Sequence, residues 1–342
     1  MQVAAIKADV VALVPFDQRT SCTPSSLACT DFLAGLVQLA FHDAGTFDKT
    51  TGTGGPDGCI DLTLPENHGL RWITGVIAPV FRKHASVISY ADFVVLAANT
   101  AIYVASGNNL ALPFNWGRTN GNDCLAVDRN MLPQASKSIS HVQDVFVTRM
   151  GLTLQDITAL MGAHTIGRAE DANTGYSGAW DSTSAVWDNR YYIEMVNRPW
   201  NREVRWVNNV QQFDWREPRT NTLMLNTDIA LAFDIGDLDV NTGANTCNVG
   251  GGRGCAAQSV GSRALIDGYI ANQAAWFADF AVAWQKMTEL KWAGKLATPG
   301  QARPGAPVTS APTAAPTLQP TSSPTATPSS TPTSRPSRAA GR

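Results

Sequence analysis

Five histidines occur in this 342-residue chain: His42, His68, His84, His141 and His164. His42 and His164 stand apart because each lies in a proline-free apolar run, "LVQLAFHDAGTFD" and "LTLQDITALMGAHTIG". A histidine in such a run is often a hydrogen-bonded core residue. Its imidazole can equally serve as an acid/base group near neutral pH or as a ligand for iron. The two lie too far apart to ligate as a pair on one helix, so each has to be read by its surroundings. Gln38 precedes His42 by four residues, which on a helix places its amide on the same face.

The elements that must hold these side chains are helical. Apolar residues at helical spacing predict helices over 30–44, 69–84, 90–105, 140–149, 154–164 and 262–290. The fifth opens with a Thr153-x-x-Asp156 capping-box pattern. No alternating strand series is evident, and Pro and Gly cluster between the helices. The fold class is therefore mainly α, a multi-helix globule rather than a four-helix bundle. Three segments are expected: an N-terminal stretch (1–29), a helical domain (30–296), and a Pro/Ser/Thr-rich tail (297–342) whose composition cannot bury apolar surface.

Composition removes several function classes. A net charge of −2 with 16% charged residues provides no basic field for nucleic acid, and no apolar run is long enough to span a membrane. The amino-terminal apolar stretch makes a poor secretory signal, since Lys7 and Asp9 precede it and Pro15 interrupts it. The six cysteines, Cys22, Cys29, Cys59, Cys124, Cys247 and Cys255, form no C-x-x-C pair, so structural zinc is not expected. They fit three disulfides, with "CNVGGGRGC" able to close a small loop, or buried thiols in a reducing compartment. The Ser/Thr/Pro tail leads to the expectation of an extracellular or wall setting, with an organelle or the cytosol as the alternative.

Seven stretches then occur in a telling order: "LAFHDAGTF", "GGPDGC", "ENHGL", "ISYADFVVLAA", "MGLTLQDITALMGAHTIGRA", "SGAWDSTSAVWDNRYY" and "LMLNTDIALAFD". In that order they resemble the plant-type haem peroxidases, most closely the cytochrome c/ascorbate peroxidase branch, with features similar to secreted fungal enzymes. The resemblance implies a two-lobed fold with haem b between distal and proximal helices. It also implies reduction of hydrogen peroxide through a ferryl intermediate and oxidation of a small aromatic or protein electron donor, by a monomer. His164 would be the proximal iron ligand and Asp228 the carboxylate on its other ring nitrogen. His42 would be the distal base, Asn67 its orienting acceptor and Phe41 the distal aromatic; Asp171 would contact a haem propionate. Trp180, sixteen residues after His164, falls where the branch carries its proximal tryptophan. Asn173 falls where ascorbate peroxidases carry a substrate-binding arginine, which disfavours ascorbate.

The resemblance also implies two cation sites. Thr165, Asp181, Thr183, Val186 and Asp188 match a proximal calcium site of hard oxygen donors. Asp43, Gly55 and Asp57 match a distal one, but Cys59 replaces its usual serine, so that site is expected to be empty, remodelled or given over to a disulfide. One departure bears directly on catalysis: Gln38 occupies the position of the family's distal arginine. Two readings follow, a peroxidase with attenuated O–O cleavage or a haem-binding protein of low activity with a structural or wall-associated role.

Overall fold

The computed structural model describes residues 2–14, 27–122, 124, 131–207, 210–239, 255–299 and 301. The chain divides into a unit of residues 1–311 and a second of residues 312–342, which lies wholly outside the described residues. In the first unit the helices are α1 (Gln2–Ala12), α2 (Leu27–Ala44), α3 (Arg71–His84), α4 (Tyr90–Ala105), α5 (Ile139–Gln143), α6 (Leu154–Met161), α7 (Asp171–Thr174), α8 (Arg190–Asn197), α9 (Asn226–Ala232), α10 (Ser262–Ala271) and α11 (Gln273–Glu289). Among the described residues none is long and apolar enough to cross a membrane.

The core is built around α4, which is apolar nearly all round ("YADFVVLAANTAIYVA") and buried accordingly. Ser89 caps it, its hydroxyl accepting from the Asp92 amide at 3.2 Å. Helix α2 lies along α4 and buries Leu36, Leu39, Ala40 and Ala44, leaving Gln38 and His42 on its other side. Each fully buried leucine contributes about 1.5–3 kcal/mol, which fixes the rotation of α2 and hence the direction of His42. Helix α1, within a stretch given no helix in the sequence reading, buries Ile6 and Val10 against α3 and α4.

Three other expectations are revised. The 262–290 helix breaks at Asn272, whose backbone leaves the helical region (φ −148°, ψ 99°) while its side chain caps α11 through the amides of Ala274 and Ala275. The 154–164 helix ends at Met161 and tightens into a 3₁₀ turn, Gly162–Thr165, that carries His164. A Cβ on Gly162 would sit 2.5 Å from the Tyr192 hydroxyl and 2.7 Å from the Trp276 ring, so this close approach demands glycine. The Thr153/Asp156 capping box is present at the other end of α6.

The third revision concerns strands. An antiparallel sheet of β3 (Asn201–Val207), β4 (Val210–Glu217) and β5 (Thr222–Met224) stands where no strand was expected, and β1 (Arg168–Ala169) pairs with β2 (Gly178–Ala179). Phe213 and Trp215 alternate with polar neighbours and face the core, a two-residue period that was there to be read. The partner strand repeats it, Val204 and Trp206 alternating with Glu203 and Arg205, and Val204 pairs directly with Phe213, so these side chains share a face although Val204 is 50% and Trp206 70% exposed. Trp215 pairs with Met224 in register, and its indole donates to Asn226 at the start of α9. The sheet thereby sets α9, and α9 carries Asp228.

Candidate active site

His42 and His164 border one cavity of about 540 Å³. Its wall is largely apolar, including Phe41, Phe146, Leu160 and Met287, with Gln38 and Arg168 among its polar members. The other histidines are engaged elsewhere: His84 with Asp9, His68 with the Thr63 carbonyl and His141 with the Gln134 amide.

On the α2 side, His42 Nδ1–H donates to Asn67 Oδ1 at 2.8 Å. Asn67 is buried, and its own amide donates to the Asp61 carbonyl at 3.0 Å, which locks the oxygen toward His42. The tautomer that results leaves a lone pair on His42 Nε2. Burial pushes His42 below its ordinary value, and the Asn67 hydrogen bond offsets this in part, so the imidazole stays neutral. Gln38 Nε2 lies 3.4 Å from that same nitrogen, beyond the usual range of a strong contact. Phe41 meets His42 edge-on and stacks on Phe146 at a centroid distance of 6.1 Å.

On the other side, His164 Nδ1–H donates to Asp228 Oδ1 at 2.8 Å. Asp228 is fully buried and also accepts from Trp180 Nε1 (2.8 Å), Tyr191 Oη (2.7 Å) and the Leu225 amide (2.7 Å). The Trp180 ring stacks on the imidazole with centroids 4.4 Å apart. His164 is 32% exposed, and its undonated Nε2 is the nitrogen left for a ligand in the cavity. An apolar slot with a fixed, lone-pair-bearing imidazole suits a flat iron porphyrin.

Asp171, by contrast, is not part of the cavity wall; Arg205 engages its carboxylate at 3.2 and 3.3 Å. Arg168, four residues after His164, is the cationic group on the wall, and sequence reasoning passed over it. Tyr191, Phe146 and Trp72 were missed as well, because they reach the site from separate elements with no local motif. Asn173 also borders the cavity, donating to Glu170 at 3.2 Å.

The five proximal cation residues fall together. Thr165 Oγ1 donates to Asp181 at 2.6 Å, and Thr183 Oγ1 contacts both Asp181 and Asp188 at 3.3 and 3.2 Å. The Val186 amide donates to the Thr183 carbonyl. Burial pushes Asp181 up to about 7 and raises Asp188 too, and neither makes an ion pair among the described residues.

The distal positions make their contacts within the protein. Asp43 accepts from the Gly58 amide at 2.8 Å, and the Gly55 amide donates to Thr46. Asp57 receives the Lys291 ammonium at 2.6 Å, and Trp292 donates to the Pro56 carbonyl at 2.9 Å. Cys59 is bonded to Cys124. Lys291 thus places a tethered ammonium on Asp57, one of the three distal positions. Lys291→Met is expected to cost about 1–3 kcal/mol, the worth of a charged hydrogen bond to a mostly buried carboxylate. Thermal unfolding measures it, and an unchanged midpoint would refute the pairing. Cys255 is also disulfide-bonded, whereas Cys22 and Cys247 lie outside the described residues, and with them the proposed "CNVGGGRGC" loop.

The chain matches the Peroxidase family over residues 18–236. It is 30% identical to the cytosolic L-ascorbate peroxidase 2 of Oryza sativa subsp. japonica over 262 residues, 75% of this chain and 85% of that protein. It is 36% identical to the mitochondrial cytochrome c peroxidase of Aspergillus fumigatus over 204 residues, 58% of this chain and 54% of that protein. With the cytosolic L-ascorbate peroxidase 2 of Arabidopsis thaliana it shares 39% identity over 166 residues, 47% of this chain and 64% of that protein. The match thus spans only about half the length of some relatives. These names overturn the extracellular or wall expectation drawn from the tail: the relatives are cytosolic and mitochondrial, consistent with the alternative of an organelle or the cytosol. The motifs in order, the helical architecture and these matches agree: the chain belongs to the peroxidase family, within the plant-type haem peroxidase superfamily.

Proposed function

We propose that this chain is a haem b peroxidase that reduces hydrogen peroxide and draws electrons from a small aromatic or protein donor. The observation that carries this reading is the pair of oriented imidazoles on one cavity, His42 held by Asn67 and His164 held by Asp228. Haem, when bound, supplies the iron that accepts peroxide and stores its oxidising equivalents. The residues do the rest. His164 Nε2 would hold the iron, with Asp228 fixing the imidazole tautomer and strengthening it as a donor. His42 Nε2, its lone pair free, would take a proton from peroxide and return it to the departing oxygen, a transfer worth about 10²–10⁴ in rate. Phe41 and Phe146 keep water from the reacting atoms.

Trp180 stacks on His164 and shares its carboxylate, a position suited to passing an electron inward from a protein donor. The cytochrome c relative supports a protein donor. Neutral Asn173, at the position where resemblance puts an arginine, argues against ascorbate. Purified protein loaded with haem should show a Soret band that shifts on adding peroxide, with turnover of a phenol or of reduced cytochrome c. Haem binding with no spectral change at excess peroxide would refute the reading.

The lowered pKa of His42 sets a pH profile. Its neutral form is the active base, so the peroxide rate should stay level from neutrality down past about pH 6.5 and fall only on the acid side. An inflection at or above that value would contradict the burial argument. Thr165, Asp181, Thr183, Val186 and Asp188 would hold a cation, calcium or another hard ion, which would offset two desolvated carboxylates beside the turn that carries His164. Prolonged chelation should lower the unfolding midpoint, and re-addition of calcium should restore it. A midpoint insensitive to both, with no bound cation in the purified protein, would remove this site.

A further inference from the structure

We infer that Tyr191 is a positioning residue that limits how strongly Asp228 can draw on the His164 proton, an inference that rests on His164 being the iron ligand. Asp228 has two oxygens and about four acceptor positions, and four donors fill them. Oδ1 takes His164 Nδ1–H at 2.8 Å and Tyr191 Oη–H at 2.7 Å; Oδ2 takes Trp180 Nε1–H at 2.8 Å and the Leu225 amide at 2.7 Å. Tyr191 and His164 therefore share one oxygen, and the phenol is the closer of the two.

That sharing is built into the packing. Tyr191 lies on the first turn of α8 and is fully buried, and its ring meets the His164 ring edge-on, with centroids 5.9 Å apart. Its hydroxyl donates to Asp228 Oδ1 at 2.7 Å, a neutral donor on a carboxylate oxygen. A donor placed on a carboxylate oxygen draws on its negative charge, so that oxygen accepts less strongly from a second donor. The imidazole then keeps its Nδ1 proton more firmly and becomes a less anionic ligand. The effect is stronger here than at the surface because the low-dielectric setting magnifies each hydrogen bond. The neighbouring tyrosine provides an internal comparison: Tyr192 is as deeply buried, but its hydroxyl donates to the Thr158 carbonyl at 2.6 Å.

Resonance Raman of the haem-loaded ferrous protein reads the iron–histidine stretching band directly. Tyr191→Phe is expected to move that band to higher frequency and the ferric/ferrous midpoint to a more negative potential. Tyr192→Phe, which removes a buried hydroxyl without touching Asp228, should move neither. A Tyr191→Phe band at the wild-type position would overturn the inference, as would an equal shift in Tyr192→Phe, since that would make the effect one of packing. A wild-type protein with no iron–histidine band would remove His164 as ligand and this inference with it. Should Tyr191→Phe take up no haem, the His164 Nδ1 proton can be followed by NMR in the apoprotein. There a downfield shift relative to wild type supports the sharing, and an unmoved resonance refutes it.

Discussion

Gln38→Arg is expected to raise kcat/KM for hydrogen peroxide by about 10²–10³, the usual worth of one well-placed charged donor on a developing anion. The substitution falls on the face of α2 that lines the cavity, one turn before His42. There a guanidinium would meet the negative charge that builds on the departing peroxide oxygen. The native amide carries no charge, and its nitrogen lies 3.4 Å from His42 Nε2, the atom that must take the proton. Arginine would bring a second, opposing effect: a like charge beside His42 lowers its pKa further, moving the acid limb of the pH profile to still lower pH. Stopped-flow mixing with peroxide separates the two, since one changes the plateau and the other the inflection. A plateau that rises less than threefold would show that O–O cleavage is not what Gln38 limits.

The second large effect runs the other way. His42→Leu should lower the same rate constant by about 10²–10⁴ while leaving the Soret band and haem content unchanged. Leucine is close in volume, and His42 borders a cavity rather than the packed core, so the loss would be chemical rather than structural. The test discriminates because Asn67 already commits Nδ1–H, leaving Nε2 as the only base on that imidazole. If peroxide reacted at the native rate in His42→Leu, proton transfer would have to come from another group, and the proposed mechanism would fall. In a His42→Leu/Gln38→Arg double variant the arginine should recover less than it gives to the native protein, because the two groups act on one bond cleavage.

How much of this was legible in the sequence depends on how far each partner lies along the chain. His42 and Gln38 share one helix, and Thr153 and Asp156 one capping box, so periodicity alone related them. His164 and Asp228 are 64 residues apart, and only the resemblance paired them; the 2.8 Å contact agrees. Tyr191 and Arg168 could not be found by spacing, since each belongs to the site through packing of separate elements. The β3–β4 hairpin was legible by alternation, with Val204, Trp206, Phe213 and Trp215 on one face, and was passed over; its burial follows polarity poorly, since Val204 and Trp206 are exposed while Asp214 and Arg216 are buried. Asp171 went to Arg205 instead of the cavity, and Arg205 lies on that same unforeseen hairpin.

Lys291 imposes an order on maturation. It closes on Asp57 across 234 residues, and Trp292 reaches Pro56 across 236. At ribosomal speeds of about 5–20 residues per second, roughly 10–50 s separate the synthesis of Asp57 from that of its partner. Throughout that interval the loop beside His42 has its carboxylate but not its counter-charge, whereas His164 and Asp228 are both made well before residue 291. The proximal half gains no head start from this, because Trp276 of α11 donates to the Ala159 carbonyl and packs on Gly162 beside His164. Both histidines therefore wait on one late segment: until α11 and Lys291 have left the ribosome, Asp57 lacks its counter-charge and the turn that carries His164 lacks its packing.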